Sequence, residues 1–322
     1  LGLGGRQMRR LFRQHLGASP ISVAQTRRIL LAKQLIHETH LPMTQIAFAA
    51  GFGSIRRFNE TFRALFGRPP GALRRLRGPD VAVAVQGEFS VLLRYKPPYD
   101  WPAMLAFLEP RAIPGVERVA QGAYSRTIAL DGVQGRISVR PAAGNALCAS
   151  IHIAKLAALP NIIARLRRQF DLAADPLSIA AHLRTDPLLA PLLKRRPGLR
   201  VPGAWDGFEL AMRAVLGQQI TVAAAIRLAG RLVAAYGQPL VDSDRHLTHV
   251  FPTPQALAPA DLACLGMPRS RAATLSAIAA AAIADPDLFG ARCDLEEAIQ
   301  RLRSIRGIGE WTAQYIALRQ LR

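Results

Sequence analysis

The sequence predicts a multidomain, mainly α-helical protein in three parts: a basic all-helical module, an α+β domain and an all-α domain. Three observations predict it. Charge is uneven, with fourteen Lys+Arg against two Asp+Glu in residues 1–78 and twenty-eight against twenty in residues 79–322. Apolar side chains recur at helical spacing up to Phe66, alternate like strand residues between Phe89 and Ile153, and return to helical spacing from Trp205. Near the end, Gly307-Ile308-Gly309 forms a short bend between two helical stretches.

Composition limits the function classes. The chain has 322 residues, half of them apolar, with a net charge of +20, and a mean hydropathy of +0.13. That excludes global disorder and leaves room for two or three domains at roughly 100–200 residues each. No apolar run reaches the ~18 residues of a membrane span, and Leu1–Arg13 is basic and amphipathic rather than a signal peptide. Cys148, Cys264 and Cys293 are odd in number and scattered, which argues against a disulfide framework and a cysteine metal site and points to a reducing, cytoplasmic location. The histidines form no cluster beyond His37 and His40, read as solvated, so no metal is expected. Lys33, Lys96, Lys155 and Lys194 are the only lysines. Arginine's planar fork suits phosphate and base edges. Such a balance points to nucleic acid, with solubility, a membrane surface or GC-rich codon usage as plainer readings.

In the first module, Arg6–Leu16 carries Met8, Leu11, Phe12 and Leu16 on one face and is read as stopped by Gly17 and Ser19-Pro20. A helix over Val23–Thr39 follows, with Ile29, Ala32, Leu35 and Ile36 inward. Pro42 opens a short helix to Ala50, and Gly51-Phe52-Gly53 turns the chain into a helix from Ser54 to Phe66. Short helix, glycine turn and basic helix is the layout of a helix-turn-helix, whose second helix enters the major groove. Phe58 and Phe62, four apart, face inward; Ser54, Arg56, Arg57 and Asn59 are the candidate DNA contacts, a solvated face being the alternative.

The stretch LPMTQIAFAAGFGSIRRFNETFRALFGRPPGALRR resembles the second helix-turn-helix of AraC-type transcription regulators. The resemblance implies a domain over residues 1–78 with two such motifs joined by the Val23–Thr39 helix, the first lacking the helix that would precede Leu1.

Gly67–Gly71 and then Arg74–Pro79 read as the end of this module and a stiff linker. Alternation at Phe89/Val91/Leu93/Tyr95, Ile137/Val139 and Leu147/Ala149/Ile151/Ile153 predicts strands, the last two joined by a Gly144-Asn145 turn. Helices are expected at Trp101–Leu108 and Asn161–Phe170, giving an α+β domain over residues 79–200.

Residues 201–322 read as all-α. Asp206 caps a helix ending near Gly217-Gln218-Gln219; Thr221–Tyr236 and Ser270–Ala284 are further helices, and Asp294-Leu295-Glu296-Glu297 is a capping box opening another. In LRSIRGIGEWTAQYIALR, the glycines of Gly307-Ile308-Gly309 let a phosphate approach the backbone while the next helix offers unpaired N–H groups. That is the helix-hairpin-helix device for holding a DNA backbone without reading sequence, a plain interhelical turn being the alternative.

From about Val91 onward the chain resembles the 3-methyladenine DNA glycosylase II family, through YKPPYDWPAMLAFL, RPGLRVPGAWDGFELAMRAVLGQQITVAAA, FPTPQAL, LGMPRSRAATL and RGIGEWTAQYIALR. The resemblance implies a base-excision DNA repair enzyme that flips an alkylated base such as 3-methyladenine and hydrolyses its glycosidic bond. It places Phe107, Trp311 and Tyr315 in an aromatic base pocket, although Trp311 and Tyr315, four apart on a helix, also read as core. It places Gln218 and Gln219 on the loop that fills the gap left by the flipped base, where one member of the family carries a leucine at the position of Gln219 and a glutamine would fill the space instead of a hydrophobic wedge. The hairpin of Gly307, Ile308 and Gly309 is expected to grip phosphate and, by resemblance only, to hold a monovalent cation; no other cofactor is expected. Trp311 stands where strand-cutting relatives carry a lysine, so a monofunctional hydrolase without a lyase step is expected.

The carboxylate of such an enzyme lies past the second hairpin helix, and the sequence ends at Arg322. Asp294, Glu296 and Glu297 belong to a cap and Glu310 borders the hairpin, so none takes that place. The expectation is a chain cut at both ends that binds double-stranded DNA, damaged and promoter, without turnover. Two functions compete: a repair glycosylase fused to a sequence-specific module, and a regulator of the alkylation response whose glycosylase fold only binds DNA or damage. Such fusions resemble adaptive-response proteins, whose cysteine-based methyl acceptor has no counterpart here.

Overall fold

A computed structural model describes residues 4–39, 41–75, 88–130, 132–290 and 294–321. They form two compact units, one within Leu1–Val91 and Lys155–Asn161, the other within Leu92–Ala154 and Ile162–Arg322. The linker expected beyond Arg75, the boundary at residues 78/79, His40 and Cys293 lie outside the described residues.

The first unit is helical: α1 (Gly5–Leu16), α2 (Pro20–Glu38), α3 (Met43–Ala49), α4 (Ile55–Phe66) and α5 (Pro70–Arg75). Helix α2 begins three residues earlier than the apolar spacing suggests. Ser19-Pro20, read as a stop, is a start signal: Ser19 Oγ accepts from Ser22 N–H and proline takes the first helical position. The same logic corrects Pro69-Pro70-Gly71, which opens α5 instead of a linker. Ile29, Ala32, Leu35 and Ile36 of α2 are buried with Ile46 of α3 and Phe58 and Phe62 of α4. Phe52, Phe58, Phe62 and Phe66 form a run of ring contacts 4.8–5.7 Å apart.

The second part begins with β1 (Glu88–Arg94) and α6 (Trp101–Leu108), followed by β2 (Glu117–Ala120), β3 (Ala123–Leu130), β4 (Val133–Ala142) and β5 (Ala146–Ile153). These strands make one sheet in the order β1-β5-β4-β3-β2. The predicted Gly144-Asn145 turn joins β4 to β5, both residues at positive φ. Strands β2 and β3 escaped the pattern because β2 is only four residues long and β3 turns an arginine, Arg126, inward. Helices α7 (Leu159–Gln169), α8 (Pro176–Leu183) and α9 (Leu189–Arg195) follow.

The remainder is mainly helical, with α10 (Gly207–Leu216), α11 (Val222–Tyr236), α12 (Pro254–Leu257), α13 (Arg269–Ala284), α14 (Leu295–Arg303) and α15 (Glu310–Gln320). It is not all-α as expected: β6 (Gln238–Pro239) and β7 (His249–Val250), two residues each and too short for alternation to reveal, pair antiparallel after α11. Helix α10 is its axis. Every residue of α10 but Arg213 is buried, among side chains of α11, α13 and α15 such as Leu228, Leu275 and Ile316. Among the described residues no helix is long and apolar enough to cross a membrane.

Candidate nucleic-acid interface

Four pieces of the second unit converge: the hairpin before α15, the loop between α10 and α11, the end of α6, and the outer part of α15.

The hairpin needs glycine at one of its two glycine positions. Gly307 sits at φ +92°, and a Cβ there would lie 2.0 Å from Thr274 Oγ1, so both backbone and space exclude a side chain. Gly309 has ordinary φ and nothing within 4 Å of a built Cβ, which leaves open space at the N-terminus of α15. Ile308 between them is buried and plugs the two helices together, as its apolar character suggests. No side chain caps α15, so its first N–H groups are offered outward, where an anion is favoured by the helix dipole. Arg303 Nη1 pairs with Glu310 Oε2 at 2.9 Å, so the one acidic residue at the bend is engaged. Of the bend's carbonyls, Ile305 O accepts from Ile308 N–H and Gly307 O from Gln218 Nε2. Each keeps a second lone pair free of these bonds.

The α10–α11 loop is fastened to that hairpin. Gln218 Nε2 donates to Gly307 O and Thr312 Oγ1, both at 3.2 Å, while its own carbonyl accepts from Arg271 Nη2. Gln219 follows in left-handed backbone, φ +56°, exposed at the loop tip.

A cavity of about 370 Å³ opens beside this loop. Phe107, Trp311 and Tyr315 all line it, so the structure brings together three residues that are up to 208 positions apart in sequence. Trp311 and Tyr315 stack at 5.3 Å with ring planes 12° apart, and Trp311 is 71% exposed. Core packing, the alternative for these two, does not describe the exposed Trp311 but does describe part of Tyr315, which is half-buried against the core as well as lining the cavity. Two arginines not singled out in the sequence share the aromatic wall. Arg319 Cζ lies 4.4 Å from the Phe107 ring centre and 5.0 Å from that of Tyr315, and Arg111 Cζ lies 4.0 Å from Phe107. The signal for Arg319 is its place: four after Tyr315 and eight after Trp311, it falls on the same helix face.

The inner wall is ionic. Arg126 of β3 pairs with Glu209 of α10 at 2.6 Å and reaches Glu117 of β2 at 3.7 Å. Arg213 bonds to Glu209 and to Glu117, and Tyr124 Oη donates to Glu117 Oε1 at 2.5 Å. Burial works against the charged form of Glu209, yet the guanidiniums of Arg126 and Arg213 hold its carboxyl down at about 2. Burial first, and then the neighbouring Glu117 carboxylate, push the Tyr124 phenol well above its ordinary range. The remaining acid on the cavity wall, Asp206, caps α10 through Glu209 N–H and pairs with Arg165 at 2.8 Å. Glu209 and Arg213 lie four apart on α10, but the network as a whole is absent from the sequence reading because Glu117 and Arg126 meet them only through the packing of the sheet on α10.

In the first unit, α4 presents its candidates together. Phe58 and Phe62 are buried, leaving Ser54, Arg56, Arg57 and Asn59 exposed. Ser54 Oγ caps the helix by accepting from Arg57 N–H, and Arg56 pairs with Glu60 at 2.9 Å in a solvent-exposed, energetically slight contact.

Comparison with known proteins places these parts. Residues 1–76 match a helix-turn-helix domain, residues 90–206 the AlkA N-terminal domain, and residues 212–316 the HhH-GPD superfamily base excision DNA repair protein. The whole chain is 40% identical to the "Probable bifunctional transcriptional activator/DNA repair enzyme AlkA" of Mycobacterium tuberculosis, and spans 65% of that relative's length. Over 234 residues it is 39% identical to "DNA-3-methyladenine glycosylase 2" of Escherichia coli, covering 70% of this chain and 79% of that protein. A solved 3-methyladenine DNA-glycosylase from Archaeoglobus fulgidus shares the fold, with a TM-score of 0.61 over 71% of this chain and 77% of its own, at 24% identity. The chain belongs to the DNA-3-methyladenine glycosylase 2 family, with a helix-turn-helix domain joined to its N-terminal side.

Proposed function

We propose that the protein binds duplex DNA through the Gly307–Gly309 hairpin, receives a flipped alkylated base such as 3-methyladenine among Phe107, Trp311 and Tyr315, and serves hydrolytic base excision without a lyase step. The helix-turn-helix unit adds promoter binding through Ser54, Arg56, Arg57 and Asn59, and both activities belong in the cytoplasm.

The observation that carries this reading is the shared cavity of Phe107, Trp311 and Tyr315 beside the hairpin. Extruding a base costs a few kcal/mol of unstacking. Stacking on an aromatic face returns about 1–3 kcal/mol per base. The stacked pair Trp311–Tyr315 offers such a face at the cavity, while the N–H groups at the start of α15 hold the phosphate. Backbone grip and base reception lie on one helix, so they act on one flipped nucleotide. A monovalent cation, held by the carbonyls of Ile305 and Gly307, would add positive charge facing the phosphate.

Cleavage needs a carboxylate at the sugar, to stabilise the oxocarbenium-like state or activate water. Glu117, Asp206 and Glu209 are the acids on the cavity wall, and arginines engage all three. The described residues account for grip and recognition; a second reading, supported by the helix-turn-helix domain, is that the protein senses damage as a regulator. Incubating residues 1–322 with a 3-methyladenine duplex separates the two: release of the free base supports the enzyme, and binding without release supports the sensor. A lyase step would appear as strand breaks, and none is expected, because Trp311 stands where an amine would be needed.

A further inference from the structure

We infer that Gln169 reads the hydrogen-bonding edge of the base in the cavity, favouring bases that offer an N–H beside an acceptor over bases whose edge is bridged by alkylation. This rests on the flipping reading proposed above and adds a specificity-determining residue to it.

Gln169 is the last residue of α7, lines the cavity and is only 2% exposed. Its side-chain Oε1 is shut off from solvent and has no hydrogen-bond partner among the described residues. Burying an amide oxygen in this way costs free energy that a methionine or leucine in the same place would not incur. The charged groups of the same wall behave otherwise: Glu117, Arg126, Glu209 and Arg213 satisfy one another, and Asp206 is held by Arg165. The polar group of Gln169 is therefore left for what enters the cavity.

The backbone fixes where that amide acts. Gly203 N–H donates to the Gln169 carbonyl at 2.9 Å, and Ala204 N–H donates to the Arg319 carbonyl at 3.1 Å. These two bonds stitch the end of α7 to α15, the helix that carries Trp311 and Tyr315, and Gly203 and Ala204 themselves line the cavity. Phe170, the next residue, is fully buried against Tyr124 of the ionic wall, with ring centres 5.7 Å apart. Gln169 thus belongs to the inner end of the cavity, and the exposed Trp311 to its mouth. A base entering along the Trp311–Tyr315 face meets that inner end with its ring edge.

A glutamine amide carries an acceptor and donors side by side, the arrangement that pairs with the N6 amine and N7 of an adenine. 3-Methyladenine keeps both groups. In 1,N6-ethenoadenine the same exocyclic nitrogen is bridged into a ring and has no hydrogen, so the base still stacks but leaves Oε1 unpaired.

The test is equilibrium binding of the full chain, at one salt concentration, to duplexes carrying 3-methyl-3-deazaadenine, 1,N6-ethenoadenine or adenine at one position. A 2′-fluoro sugar at that position, which disfavours positive charge on the anomeric carbon, keeps all three uncleaved. Gln169→Met keeps length and volume without the amide. It should bind the 3-methyl-3-deazaadenine duplex about tenfold more weakly than the wild type does, the worth of about one net hydrogen bond, and the other two as the wild type does. Comparing the two proteins on each duplex cancels the unpairing cost of the DNA itself. The urea midpoint of Gln169→Met should not fall below that of the wild type, because Oε1 loses no bond within the protein; Gln169→Leu should repeat the pattern. Equal losses on both damaged duplexes, a loss on neither, or a lowered urea midpoint in both variants overturns the role of Gln169. A wild-type chain that distinguishes neither damaged duplex from the adenine duplex overturns the flipping reading, and this inference with it.

Discussion

The two candidate DNA-binding regions are built in opposite ways. Helix α4 carries its candidate contacts, Ser54, Arg56, Arg57 and Asn59, within six residues, fully exposed, with Phe58 and Phe62 as their anchor. The cavity of the second unit draws on positions from Phe107 to Arg319 and rests on largely buried, mutually paired charges. An exposed face on one helix tolerates change side chain by side chain. An assembled cavity fails as a whole when its ionic wall or its hairpin is disturbed, so losses should be large and coupled in the second region and small and separable in the first.

The largest effect is expected at the ionic wall. Glu209→Ala leaves Arg126 and Arg213 with Glu117 as the remaining one of their two shared acids, and breaking such a buried pair typically costs about 3–5 kcal/mol, read as a lower urea midpoint or melting temperature. The same carboxyl gives a pH signature. Its folded value of about 2 lies below the ordinary 4.5, so its contribution is complete above pH 4.5 and is lost as pH falls toward 2. In Glu209→Gln that acid-side loss should shrink, which pH-dependent unfolding would record.

Next comes the hairpin. Gly307→Ala places a methyl against Thr274 in a backbone conformation alanine disfavours. It should weaken binding to damaged and undamaged duplex by a similar factor, tenfold or so if one or two phosphate contacts of about 1 kcal/mol each are lost.

Trp311→Ala should act on one class of DNA alone. An exposed ring contributes little to folding, within about 0.5 kcal/mol, but its loss should remove about 1–3 kcal/mol of stacking with a flipped base. Affinity for intact duplex should stay as it was.

The smallest change is expected on α4. Arg57→Ala should weaken promoter binding modestly and, if Arg57 meets a phosphate, reduce the log–log salt slope by about 0.9. Arg56→Ala should do less in solution, because its neighbour Glu60 already offsets part of its charge.

The same contrast explains what the sequence could reveal. Helix α4 was legible because its cap, glycine turn and aromatic pair are all local: Ser54, Gly51–Gly53, Phe58 and Phe62 fall within twelve residues. The hairpin was legible for the same reason, although only the structure shows why Gly307 and not Gly309 is sterically required. Proline misled twice, at Pro20 and Pro70, since it opens a helix as readily as it ends one. The aromatic residues came from resemblance, and their common cavity from packing. The network of Arg126, Glu117, Glu209 and Arg213 was invisible: Glu209 and Arg213 lie four apart on one helix, but nothing near them reports partners 83 and 96 positions away. Arg319 lay within reach of helical spacing from Tyr315 and was passed over because surface arginines are common in so basic a chain.

The central claim is that one cavity receives a flipped base while the adjoining hairpin holds the backbone. Its most direct test is the affinity ratio, at fixed salt, between a duplex carrying 1,N6-ethenoadenine and the same duplex undamaged, for the wild-type chain, Trp311→Ala and Gly307→Ala. The account predicts a wild-type preference of about tenfold or more for the damaged duplex, from stacking of about 1–3 kcal/mol. It predicts loss of that preference in Trp311→Ala and an unchanged ratio at lower overall affinity in Gly307→Ala. Equal binding of both duplexes by the wild-type chain, or a preference that survives Trp311→Ala, would contradict it.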